Sequence, residues 1–146
     1  MARPLVLIAE DDPDLRPVLA ELIRLRTGAR VRTVDSGPAA LISAREEPPS
    51  AIVLDAGLPG LDGFEVARRL RRDPDLRWTP LVGLSGAGRL SNAVVAAAGF
   101  DAFLDKRGDL RSLVDLLRHL LAWPETADAT RPVVPAGVVT AGLRAR

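Results

Sequence analysis

Five polar residues each follow a short apolar stretch of this 146-residue chain: Glu10, Asp11, Asp55, Ser85 and Lys106. Short apolar runs bounded by turn residues predict strands that are buried on both faces. The carboxyl ends of parallel strands meet at one edge of a sheet, where sites form. We therefore expect the five side chains to converge around one carboxylate, Asp55.

Three clustered carboxylates repel one another unless positive charge lies among them. A hard divalent cation such as Mg²⁺ prefers oxygen ligands and is usually held by one or two carboxylates plus phosphate. A lysine and a hydroxyl would add a second charge and a hydrogen-bond donor. Because phosphoryl transfer depends mainly on positioning and charge neutralisation, this set predicts that Asp55 accepts a phosphoryl group.

Lys106 is the chain's only lysine, since 19 of its 20 basic residues are arginine. A genome rich in G and C explains the arginines. It does not explain the single exception, because an ammonium is a compact point charge that a guanidinium does not replace. The choice indicates that this position needs an ammonium.

Strand-like and helix-like stretches alternate five times along the chain. The strands are predicted at 5–9, 31–34, 51–55, 80–84 and 102–104. Helical patterns lie between Pro13 and Gly28, Ser36 and Pro48, Gly63 and Arg72, Leu90 and Ala98, and Asp109 and Leu121. This alternation is typical of βαβ units, and it predicts an α/β fold with a mostly parallel sheet and helices on both faces.

The motifs resemble those of response-regulator receiver domains of two-component signalling. They are Glu10-Asp11-Asp12, Val53-Leu54-Asp55 with Leu58-Pro59 and Asp62-Gly63, Leu84-Ser85-Gly86, and Phe103-Leu104-Asp105-Lys106. The resemblance implies a flavodoxin-like (βα)5 three-layer sandwich with a parallel five-stranded sheet in the order 2-1-3-4-5, as in the chemotaxis member of the family. It implies a receiver domain over 4–123, and leaves 124–146 as a Pro/Gly-containing tail that we expect to be mobile.

The resemblance also implies roles for single residues. Asp55 would be the phosphoacceptor and Lys106 a catalytic cation. The ligands of Mg²⁺ or Mn²⁺ would be Glu10, Asp11, Asp55 and the backbone carbonyl of Gly57. The switch residues would be Ser85 and Phe103. In the family the ring at the Phe103 position changes rotamer in response to the switch hydroxyl.

Three positions depart from the family pattern. Arg107 stands where proline, often with a cis bond, is usual, and a non-proline cis bond is costly. We therefore expect a trans turn, with a possible change in the approach of Lys106. Gly57 and Ala87 are small at positions that tune the lifetime of the phosphoryl group in the family.

The predicted function is a single-domain phosphoacceptor response regulator that signals by protein contact and is not an enzyme beyond its own phosphorylation and dephosphorylation. The partners would be a histidine kinase or histidine phosphotransfer protein and an unknown downstream protein. Two alternatives stay open. One is a receiver-fold binding module independent of phosphorylation; the other is a Mg²⁺-dependent phosphohydrolase, for which Gly57 lacks the second carboxylate.

Composition excludes several classes. There is no cysteine, so no disulfide framework or thiolate metal site, and no apolar run of membrane-spanning length. We expect a cytoplasmic protein. The arginines Arg68, Arg69, Arg71 and Arg72 form a basic helix face, but acids interleave with them; we interpret the face as solvated and expect no nucleic-acid partner.

The last helix has more leucine than one apolar face requires. Leu116 and Trp123 lie off the inward stripe, and the sequence leaves two interpretations open. They either complete the core and the helix end or belong to a partner surface. In the second case a homodimer would form through the fourth helix, fifth strand and fifth helix, where the small residues of 93–98 permit close approach.

Overall fold

The computed structural model describes residues 3–86, 97–122 and 139–140, the last two by their backbone alone. Its elements are β1 (Leu5–Ala9), α1 (Leu15–Thr27), β2 (Arg30–Val34), α2 (Gly37–Glu46), β3 (Ala51–Asp55), α3 (Gly63–Arg72), β4 (Leu81–Ser85), β5 (Ala102–Asp105), α4 (Leu110–Ala122) and β6 (Val139–Thr140). The fourth predicted helix, 90–98, lies largely outside the described residues, as do Ala87, Trp123 and most of the 124–146 tail.

The sheet has the order β2-β1-β3-β4-β5-β6. The first five strands are parallel and confirm the predicted order 2-1-3-4-5. The two-residue β6 is an addition to that prediction: it pairs antiparallel with β5, Thr140 opposite Ala102 and Val139 opposite Phe103.

Strands β1, β3 and β4 are buried at every position, as their unbroken apolar runs predict, whereas the edge strand β2 is exposed or half-buried along its length. Alternate residues enter two cores. One core lies between the sheet and the helices α1 and α4, and includes Ile8, Val53 and Leu84. The other lies between the sheet and α2 and α3, and includes Leu54 and Phe103. The carboxyl edge of the sheet is thus held between two packed layers.

Local caps fix where the helices begin. The Asp12 side chain accepts from the backbone N–H groups of Asp14 (2.8 Å) and Leu15 (3.3 Å) in the turn that leads into α1. Asp62 accepts from the N–H of Glu65 at 2.9 Å and starts α3 directly after the loop that follows β3.

Leu116 is fully buried in the core between the sheet, α1 and α4. Of the two interpretations of this residue, the core contact is correct and the partner surface is wrong. Because α4 packs against both the sheet and α1, its buried face is wider than a single stripe; the buried residues of α4 are Leu113, Val114, Leu116, Leu117 and Leu120.

One arginine of α3 is not solvated, and the predicted solvated face is wrong there. The side chain of Arg71 is only 10% exposed and forms a 2.9 Å ion pair with buried Asp101, just before β5. It also donates to the backbone carbonyls of Gly99, Arg77 and Thr79 at 2.7–2.9 Å. A planar guanidinium presents five N–H donors and can therefore bind several acceptors at once. Arg71 thereby joins the end of α3 to the amino ends of β4 and β5.

Among the described residues, no helix combines the length and the apolar character needed to cross a membrane.

Candidate functional site

Asp55 is the last residue of β3, and its side chain is nearly buried. The pairing of β3 with β4 continues one residue further, through a 2.8 Å hydrogen bond from the Ala56 N–H to the Leu84 carbonyl. The Gly57 N–H donates to Asp55 Oδ1 at 3.0 Å. Strand and loop together therefore fix the direction in which the carboxylate points.

The backbone behind Asp55 is closed off by α3. The N–H of Gly63 donates to the Ala56 carbonyl at 3.1 Å, and a Cβ at position 63 would overlap the Asp55 carbonyl oxygen. Only glycine permits this approach, so Gly63 positions the start of α3 against the strand end. Gly63 belongs to the Asp62-Gly63 motif that the sequence already shows. The sequence alone did not show that this glycine contacts the backbone at the end of β3.

Lys106 follows β5 and reaches across the strand ends. Its Nζ lies 2.8 Å from Asp55 Oδ2 and 2.6 Å from Glu10 Oε1. The Lys106 N–H donates to the Ser85 carbonyl at 3.0 Å. The peptide bond to Arg107 is trans, which confirms the expected turn, and the lysine still makes its contact with Asp55.

The acidic pair differs in exposure. Glu10 is fully buried, whereas Asp11 is exposed, yet oxygen atoms of Glu10, Asp11 and Asp55 lie within 4.8 Å of one another. The Asp12 N–H lies 3.3 Å from Glu10 Oε2, and Arg16 Nη1 donates to the Glu10 carbonyl at 3.0 Å. Arg16 was not predicted as part of this site, because its sequence position in α1 does not reveal that it turns back to the loop.

The electrostatics follow from burial and mutual contact. Burial and the hydrogen bond with Asp55 raise the pKa of Glu10 to about 7. Burial acts in the same direction on Asp55, but hydrogen bonds from Glu10, Lys106 and the Gly57 N–H outweigh it and hold the pKa of Asp55 below its usual value. In the absence of a cation, Glu10 therefore gives up its proton at a higher pH than Asp55 does.

Burial alone would lower the pKa of Lys106, but its contacts with Asp55 and Glu10 raise it instead. The ammonium is thus charged over the whole physiological range. Three carboxylates against one ammonium leave an excess of negative charge at this edge. The donors are hard oxygens, one of them exposed, and such a set fits Mg²⁺ or Mn²⁺.

The structure therefore brings Glu10, Asp11, Asp55 and Lys106 into one cluster. Ser85 ends the neighbouring strand β4 and is nearly buried. Phe103 does not join the cluster; it lies in the core between the sheet and the helices α2 and α3. The set can support attack by a carboxylate on an electrophilic, anionic group whose charge the lysine would neutralise.

Comparison with known proteins identifies the family. Residues 6–118 match the family described as the response regulator receiver domain. The transcriptional regulatory protein AfsQ1 of Streptomyces coelicolor is 40% identical over 81% of this chain and 51% of its own length. The chain thus spans about half the length of this curated relative.

Solved structures agree. A response regulator from Chloroflexus aurantiacus is 30% identical and superposes with a TM-score of 0.74 over 83% of this chain and 99% of its own. The receiver domain of the sensor histidine kinase PA1611 from Pseudomonas aeruginosa, 27% identical, has a TM-score of 0.72 over 84% of this chain and 100% of its own; it carries a magnesium ion in its active-site cleft. The chain belongs to the response regulator receiver domain family.

Proposed function

We propose that Asp55 is the phosphoacceptor of a two-component or phosphorelay system. The contact that carries this proposal is the 2.8 Å approach of Lys106 Nζ to Asp55 Oδ2, which sets the chain's single ammonium against a nearly buried, ionised carboxylate. A histidine kinase or a histidine phosphotransfer protein would supply the phosphoryl group.

In the reaction a carboxylate oxygen of Asp55 attacks phosphorus. The bond from phosphorus to the donor nitrogen breaks, the electron pair leaves with the histidine, and an acyl phosphate forms on Asp55. Lys106 neutralises charge on the phosphoryl oxygens, and the Ser85 hydroxyl donates to one of them. The Gly57 N–H holds the carboxylate in position from the loop side.

A magnesium or manganese ion would be held by Glu10, Asp11, Asp55 and the backbone carbonyl of Gly57. When bound, it supplies charge neutralisation at the phosphoryl group. The support is the donor set: carboxylate oxygens within 4.8 Å of one another, with more negative charge than Lys106 balances.

The response to phosphorylation would begin at Ser85, and Phe103 would take part as the ring that packs over β4. The new charge attracts Ser85 and Lys106 and biases a two-state equilibrium, which a downstream protein reads by contact. We propose that the receiver domain spans 4–123 with 124–146 as its tail, and that the protein works in the cytoplasm. The proposed homodimer face includes the fourth predicted helix, which lies outside the described residues.

We propose no nucleic-acid contact for α3. Glu65 pairs with Arg68 at 3.0 Å and with Arg69 at 3.3 Å, and Arg71 is occupied inside the fold. Glu65 and Asp101 together balance two of the four arginine charges of this helix.

Labelling with acetyl phosphate tests the proposal. The wild type should gain the mass of one phosphoryl group in the presence of Mg²⁺ and none after chelation, and Asp55→Asn should gain none. Asp14→Asn is the matched control, because Asp14 is an exposed carboxylate between β1 and α1 that lies outside the cluster. It should label like the wild type.

Two outcomes would contradict the proposal. A wild type that does not label favours a binding module independent of phosphorylation. Continued turnover of a phosphate ester by the wild type, lost in Asp55→Asn, favours a phosphohydrolase.

A further inference from the structure

The ring of Phe103 lies in a closed aromatic cluster. It is nearly buried and contacts Phe100 edge to face, with centroids 5.1 Å apart and planes at 89°. It also stacks on Phe64, with centroids 5.9 Å apart. Phe64 and Phe100 contact each other at 5.6 Å, so each of the three rings touches both others. Such pairs prefer these offset and edge-on geometries.

A glycine makes room for this ring. Gly83 on β4 is the partner of Phe103 in the pairing of β4 with β5. A Cβ at position 83 would overlap the Phe103 ring and come within 3.1 Å of the Phe100 ring. The ring edge therefore occupies the space over β4 that a side chain at position 83 would otherwise fill, two residues before Ser85.

The backbone at Phe103 is also held on both sides. Phe103 pairs with Gly83 of β4 and with Val139 of β6. At this point β5 is an interior strand of the described sheet. A strand that is paired on both sides has less freedom to shift than an edge strand.

We propose that Phe103 is a fixed wedge which stays buried before and after phosphorylation and links β4 to the first turn of α3 through Phe64. Rotation of the ring to the surface would leave the space above Gly83 empty and break both ring contacts, in an interior that tolerates few voids. The proposal rests on the phosphoacceptor function of Asp55. It differs from the rotamer change that the family resemblance implies for this position.

The chain contains only three phenylalanines and no tyrosine, which makes the rings easy to observe. The experiment uses the full chain labelled with ¹³C-phenylalanine and measures relaxation of the ring signals caused by a neutral gadolinium chelate in solution. Single Phe→Leu variants assign the signals. Buried Phe100 and half-buried Phe64 give the lower and middle points of the exposure scale.

Addition of Mg²⁺ and beryllofluoride, a phosphoryl mimic, gives the decisive comparison. The backbone amide signals of Asp55 and Lys106 should shift, while the Phe103 ring stays as protected as Phe100. An increase of its relaxation to the level of Phe64 or beyond would overturn the wedge. Unshifted Asp55 and Lys106 amides would instead overturn the phosphoacceptor proposal, and the wedge with it, so the two failures are distinguishable.

Gly83→Ala tests, without any ligand, whether the Phe103 ring occupies the space above Gly83. The added methyl should push the Phe103 ring outward and increase its relaxation in the resting protein. Gly86→Ala is the matched control, because a Cβ there meets nothing within 4 Å, and its ring signals should stay unchanged. Equal protection of Phe103 in Gly83→Ala and the wild type would overturn the proposal.

Discussion

Charged side chains are buried at both ends of the sheet, but the two ends are built differently. At the amino ends of β4 and β5, one guanidinium meets one carboxylate: Arg71 and Asp101 pair at 2.9 Å. Asp101 also accepts from the Leu81 N–H at 2.9 Å. At the carboxyl ends, one ammonium meets the carboxylates of Glu10 and Asp55, and Asp11 lies beside them.

The difference shows how burial of charge produces structure at one end and chemistry at the other. Arg71 and Asp101 balance in charge and also bind backbone groups, so this cluster needs no ligand. The Asp55 cluster keeps an excess of negative charge and one exposed carboxylate, so we propose that a cation from solution completes it. A buried ion pair is costly unless its other donors and acceptors are bonded, and the guanidinium of Arg71 has three backbone carbonyls as acceptors besides Asp101.

The largest expected effect is on stability at the amino ends. Asp101→Ala should lower the free energy of unfolding by about 3–5 kcal/mol, because it leaves Arg71 buried without its carboxylate and the Leu81 N–H without its acceptor. Urea unfolding followed by circular dichroism measures this. Under native conditions the variant should still accept a phosphoryl group from acetyl phosphate, since the Asp55 cluster does not include Asp101.

Glu65→Ala is the control for Asp101→Ala. It removes two ion pairs from the surface of α3, with Arg68 and Arg69, and should cost much less stability than Asp101→Ala, because exposed ion pairs contribute little. If both variants lose the same stability, the pair of Arg71 and Asp101 stabilises the fold no more than exposed ion pairs do. Asp101→Asn offers a milder form of the same test.

Asp55 and its neighbours could be predicted because the signals are local. An unbroken apolar run ends at each polar residue, and parallel topology then brings the ends together. The hydrogen bonds that the Asp12 and Asp62 side chains accept near the starts of α1 and α3 are also local, because they join residues two or three positions apart.

Arg71 and Leu116 could not be predicted in this way. Arg71 is one of several arginines on α3, and its carboxylate partner lies 30 positions away along the chain. Its other acceptors are backbone carbonyls, which leave no trace in residue types. Leu116 is buried because α4 packs against α1 as well as the sheet, and a single-face pattern does not contain that second contact.

The pH dependence of Mg²⁺ binding sharpens the comparison at the carboxyl ends. Burial and contact with Asp55 raise the pKa of Glu10 to about 7 in the cation-free protein. Metal ligands must be deprotonated, so binding below pH 7 releases this proton and affinity increases with pH. We expect an increase of up to about tenfold per pH unit between pH 6 and 7, levelling off above pH 8. Calorimetry in two buffers of different ionisation enthalpy counts the protons released.

Glu10→Gln should bind Mg²⁺ more weakly and with a flatter pH profile, because it removes the carboxyl group whose pKa is raised to about 7. Glu65→Gln should keep the profile of the wild type, since Glu65 lies outside the cluster and contacts with Arg68 and Arg69 hold its pKa below the usual value. A flat profile in the wild type would mean that the carboxyl-end cluster carries no exchangeable proton and resembles the balanced amino-end pair.

The smallest expected effect concerns Arg107, which stands where the family usually has proline. Its guanidinium pairs with Asp105 at 3.0 Å, but both side chains are well exposed. Arg107→Ala should therefore leave the free energy of unfolding nearly unchanged, because exposed ion pairs contribute little. It should also leave the acetyl phosphate labelling rate unchanged, because Lys106 is positioned by its own N–H bond to the Ser85 carbonyl and by Asp55. A labelling rate well below that of the wild type, at unchanged stability, would show that the Arg107 side chain helps to place Lys106, and that the carboxyl-end cluster extends beyond its buried members.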